Sequence, residues 1–96
     1  MTIRKERFGD VLDVTLEGRL DAVSSQLFEN ELQQSYSGLH ELNINIQDLE
    51  YISSAGLRVL LSARRTMNGQ GRMTVSGARH QVMEALDTTG FSQFLF

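Results

Sequence analysis

Two stretches of this chain alternate strictly between apolar and polar residues. Leu12, Val14 and Leu16 share one side of a strand, with Asp13, Thr15 and Glu17 on the other. Leu42, Ile44 and Ile46 oppose Asn43, Asn45 and Gln47 in the same way. A period of two residues marks a strand buried on one face and wetted on the other. Strands covered on both faces would be almost continuously apolar, so helices are expected mainly on one side of the sheet. Residues 2–8 make a further strand, joined to the first alternation by a tight turn at Gly9-Asp10.

Between the alternations, Asp21 or Ser24 caps a helix reaching about Tyr36. Val23, Leu27, Phe28, Leu32 and Tyr36 form its apolar stripe, and Gly38 stops it. A second helix runs from about Ser54 to Asn68, burying Leu57, Leu60, Leu61 and Met67, and ends at Gly69-Gln70-Gly71. A short strand follows at Arg72–Val75. Ser76 then caps a third helix through about Thr88, with Val82 and Leu86 inward and Gly90 as its stop. Phe91, Phe94, Leu95 and Phe96 are expected to fold back onto the core. The order β-β-α-β-α-β-α predicts one α/β domain over residues 1–96, a small mixed sheet whose right-handed crossovers stack the helices on one face.

Composition narrows the function classes. With 96 residues, 41% hydrophobic and 22% charged, the chain has the make-up of a small globular domain, too short for a deep cleft between lobes. Its apolar runs fall far short of a membrane helix, and Met1-Thr2-Ile3-Arg4-Lys5 lacks the apolar stretch of a signal peptide. No cysteine means no disulfide framework, which suits a cytoplasmic setting, and no proline marks a linker. The net charge of −3 argues against nucleic-acid binding. The charge is also unevenly spread, at −6 over residues 1–50 and +3 over residues 51–96.

The residues do not assemble a catalytic constellation. His40 and His80 stand alone on separate elements without metal-ligand spacing. Ser53-Ser54-Ala55-Gly56 lacks the flanking glycine of a nucleophile elbow. Gly69-Gln70-Gly71-Arg72 is too short to cradle a phosphate and reads as a plain turn. The chain is expected to be no enzyme and to need no cofactor or metal.

One run stands apart: Asp48-Leu49-Glu50-Tyr51-Ile52-Ser53-Ser54-Ala55-Gly56-Leu57-Arg58. Two hydroxyls precede a small residue and a glycine at the start of an apolar helix. Serine is a preferred N-cap, and a hydroxyl there is accessible at the helix end whose dipole favours an anion. Ser54 is thus either a cap or a phosphate acceptor. Arg58, Ser62 and Arg65, at i, i+4 and i+7, form a candidate exposed stripe beside it.

This run resembles the STAS domain of bacterial anti-sigma factor antagonists. Gly18-Arg19-Leu20-Asp21-Ala22 is similar to the family's turn into the first helix. Residues 48–61 are similar to its central signature, and Val82 to Phe91 to its closing helix. The best-known members carry Asp-Ser-Ser-Gly or Asp-Ser-Thr-Gly, with the first serine phosphorylated. Aligning on Gly56-Leu57 puts Ser54 at that position, Ser53 where the aspartate stands, and Ala55 at the second hydroxyl. The resemblance therefore implies phosphorylation on Ser54, with Ser53 in reserve. It implies partner binding through Asp21, Ser53, Ser54, Ala55, Gly56, Leu57 and Arg58, where Gly56 would let a partner's backbone close on the hydroxyl. The implied partners are an anti-sigma factor serine kinase and a serine phosphatase, with a weak homodimer as a further expectation. Similar modules also serve as assembly subunits of lipid-transport or stress-signalling complexes.

Overall fold

The computed structural model describes residues 1–88, so the expectations for Gly90 and the closing phenylalanines lie outside the described residues. Strand β1 (Thr2–Phe8) turns at Gly9, where φ is +64°, a conformation glycine adopts without strain, and returns as β2 (Val11–Leu20). Helix α1 (Ala22–Ser35) leads to β3 (Glu41–Ile52), α2 (Ser54–Asn68) to β4 (Arg72–Ser76), and α3 (His80–Thr88) follows. The sheet order is β1-β2-β3-β4, with β1 antiparallel to β2 and the other neighbours parallel. The fold is mixed α/β, as the alternating patterns predict.

Those patterns set the core. Leu12, Val14, Leu16, Leu42, Ile44 and Ile46 are all buried, and they join Leu57, Leu60, Met67, Val82 and Leu86 from the helices. Val59 and Ala63 complete the inner face of α2, while Leu61 is only half-buried at its border. In β3 the alternation breaks after Ile46. Two register shifts against β2 bring Leu49 and then Ile52 inward at spacings of three. Bulges of this kind increase local twist and re-aim side chains, and here they carry the strand into the serine run.

Two expected helix features are corrected. The buried positions of α1 are Ser24, Ser25, Phe28, Leu32 and Ser35, whereas Val23 and Leu27 are 75% and 56% exposed. Small serines occupy inward positions close to neighbouring backbone, so the apolar residues alone misplace the stripe. Ser76 does not cap α3. It is the last residue of β4, paired with Asn45, and the chain turns at Gly77 (φ +82°) before α3 begins at His80.

The rim below the sheet is tied by side chains. Arg7 Nη1 and Nη2 donate to the carbonyls of Ser35 (2.7 Å) and Ser37 (3.1 Å), at the C-terminal end of α1. That helix has no basic residue in its own last turn, so β1 supplies the cation its dipole favours. Gln70 Nε2 donates to the carbonyls of Tyr36 (2.6 Å) and Leu39 (2.5 Å). Gly71 is so close to His40 that a Cβ would lie 1.8 Å from its carbonyl oxygen.

Candidate functional site

Strands β2 and β3 run parallel and end side by side, Leu20 pairing with Ile52. Each is followed at once by a capped helix. The Ser53 N–H donates to the Leu20 carbonyl at 2.9 Å, fixing the two helix starts against each other. The upper rim therefore presents two adjacent helix N-termini, each with unpaired N–H groups and the positive end of a helix dipole.

Asp21 is the N-cap of α1, which settles the choice between it and Ser24. Its Oδ1 accepts from the Ser24 N–H at 2.9 Å, while the Asp21 N–H donates to Ser24 Oγ at 2.9 Å. The pair forms a reciprocal capping box. The Ser24 backbone hydrogen bond, helped by the Ser24 hydroxyl, holds the Asp21 carboxyl below the usual aspartate value.

The adjacent serines take different tasks. Ser53, in extended backbone, is the N-cap of α2, and its Oγ accepts from the Gly56 N–H at 3.2 Å. Ser54 is the first helical residue and is exposed, so the alternative of Ser54 as cap is corrected. Position N1 directs a side chain outward without a backbone donor to serve. The hydroxyl there is exposed to solvent.

The remaining expected contact residues divide between surface and core. Ala55 is half-buried and Arg58 exposed, next to Ser54. Gly56 and Leu57 are buried. A Cβ on Gly56 would lie within 2.8 to 2.9 Å of Leu20 and Ile52 side-chain atoms. The glycine thus lets α2 approach the sheet, which corrects its expected role of admitting a partner. Leu57 packs in the core beside it.

Arg58, Ser62 and Arg65 do come together, along a groove of about 420 Å³ between α1 and α2. Ser25, Gln26 and Glu29 from α1 form its other wall, residues that sequence reasoning missed. Their i, i+1, i+4 spacing is the signal that was present. Among the described residues, the buried Ser25 hydroxyl has no hydrogen-bond partner.

Comparisons with known proteins agree with this fold. Residues 2–96 match the family model of the STAS domain. BtrV of Bordetella bronchiseptica, named as an anti-sigma factor antagonist, is 30% identical over 93 residues, covering 95% of this chain and 80% of BtrV. Unphosphorylated SpoIIAA, an anti-sigma factor antagonist, superposes with a TM-score of 0.90 at 15% identity, covering 99% of this chain and 86% of that one. An anti-sigma factor antagonist from Mycobacterium paratuberculosis superposes at 0.88 with 19% identity, covering 99% and 84%. Sequence relationship and shared architecture lead to one assignment: the chain belongs to the STAS domain family of anti-sigma factor antagonists.

Proposed function

We propose that this protein is a phosphorylation-controlled binding module. In its unphosphorylated form it binds an anti-sigma factor that is itself a serine kinase, and so releases a sigma factor in the cytoplasm. The kinase transfers the γ-phosphoryl group of ATP to Ser54 Oγ, which loses its proton, and ADP leaves. A serine phosphatase restores the hydroxyl. The chain contributes recognition and a phosphate acceptor, and no turnover of its own.

The observation that carries this reading is the division of labour between the serines. Ser53 is engaged as the α2 cap, whereas Ser54 stands exposed at the first helical position. A phosphate on Ser54 adds about −1.5 to −2 charges where the helix dipole favours them, so the fold tolerates it. The complex does not, because burying a dianion against a partner is costly unless it is paired there. Met1, Val23 and Leu27 are exposed around a depression beside Asp21, apolar surface of the kind that marks a protein interface.

The test uses the chain, its serine-kinase partner and ATP. One phosphate is expected, mapped to Ser54 by peptide mass spectrometry. Ser54→Ala should stay bound, and Ser54→Asp should bind poorly. Phosphate on Ser53, or none at all, would overturn the assignment.

A further inference from the structure

Arg58 lies one helical turn after Ser54, and both are exposed. Side chains on a helix lean toward its N-terminus, so a long residue at i+4 reaches back over residue i. Among the described residues, neither Arg58 nor Arg65 has an ion pair or a side-chain hydrogen bond. The other basic side chains differ. Arg4 pairs with Glu17, Lys5 with Glu31, Arg72 with Glu41 and Arg79 with Asp48, while Arg19 stacks on Tyr51. An unengaged guanidinium is therefore one turn from the acceptor hydroxyl, on a residue that lines the α1–α2 groove.

We propose that Arg58 is the counter-ion of the phosphate on Ser54, and that this capture reverses the charge of the α1–α2 groove. The proposal rests on Ser54 as the acceptor and adds how its phosphate is read. An acid at i with a base at i+4 is the favourable order on a helix. The other ionised groups on this rim are Asp21 and Glu29 on the α1 side, Arg19 and Glu50 beside Asp21, and Arg65 further along α2. Arg58, Arg65 and Glu29 leave the unmodified groove net positive. A dianionic phosphate paired to Arg58 turns it negative. The guanidinium that an acidic side chain of the partner meets in the unmodified state is then occupied. Phosphorylation in this scheme both adds repulsion and removes an attraction.

The test needs no kinase. Phosphoserine is installed at position 54 by protein ligation, and the second ionisation of the phosphate is followed by phosphorus-31 NMR. Arg58 stabilises the dianion, so Arg58→Gln should raise that pKa by about 0.2–0.4 units, the scale of one i,i+4 ion pair. Arg65→Gln, nearly two turns further on, should leave it unchanged. Circular dichroism checks that both variants keep their helix content. Equal titration in the parent and Arg58→Gln proteins would overturn the proposal, as would an equal shift in Arg65→Gln. Failure of the functional reading shows separately, as absence of kinase binding or of enzymatic phosphate on Ser54 in the unmodified chain.

Discussion

Gly56 on α2 faces Leu20 at the end of β2 across a gap with no room for a methyl group, 2.8 Å from a built Cβ to the leucine Cδ2. Ile52 closes the other side at 2.9 Å. Both neighbours are buried core residues, so relieving the contact requires the core around them to repack. Gly56→Val should therefore overpack the helix–sheet contact and cost about 1–3 kcal/mol. Thermal unfolding should show it as a fall in Tm of at least about 4 °C. An unchanged Tm would mean that the contact is soft.

The two serines of the motif should separate in a stability assay. Ser53→Ala removes the α2 cap and should cost about 1 kcal/mol, read from the urea midpoint. Ser54→Ala removes an exposed hydroxyl and should stay within about 0.5 kcal/mol of the parent. The reverse order would place the cap at Ser54 instead.

Ser25 offers a substitution in the opposite direction. Its hydroxyl is buried without a partner, and an unsatisfied buried polar group carries a desolvation penalty. Alanine is also the better helix former. Ser25→Ala should raise stability by about 1 kcal/mol, seen as a higher urea midpoint with an unchanged slope. A loss of stability would show that the hydroxyl has a partner in solution.

The α1 cap makes a pH prediction. The Asp21 carboxyl sits below its ordinary value because the folded state hydrogen-bonds the charged form. Its contribution is fully present above the unfolded aspartate value of about 3.9 and fades as pH falls through the lower folded one. Carboxyl carbon shifts followed by NMR should titrate Asp21 below that reference. Ser24→Ala, which removes one hydrogen bond, should move the value upward.

The sequence revealed the sheet more fully than the helix faces. Leu12, Val14, Leu16, Leu42, Ile44 and Ile46 declared their side because period-two alternation has only two phases. In α1, Ser24 is buried within a capping box and Ser25 faces inward on the side toward α2, while Val23 and Leu27 face solvent. Neither arrangement is encoded in hydrophobicity. The start of α3 was missed because Ser76 looks like a cap while strand pairing with Asn45 holds it in β4. At the candidate site, the motif places the start of α2 to within one residue. What it left open was which serine caps, since adjacent identical hydroxyls differ only in backbone conformation. At Gly56 the sequence shows a missing side chain but not the direction in which the space lies, which is toward Leu20 and Ile52 rather than a partner.

The rim carrying Arg7, Gln70 and Gly71 has a consequence for how such a domain diversifies. Those contacts fasten α1, β3 and β4 at the end of the sheet away from the serines. This clasp therefore holds the fold at the end that does not carry the serine run. Arg58, Arg65, Val23 and Glu29 have no part in that lower clasp, so under the proposed function changes there vary the binding surface without loosening the clasp. A cell could thus keep several sister copies of this scaffold, each answering to its own regulator, and insulate their circuits by altering one rim alone.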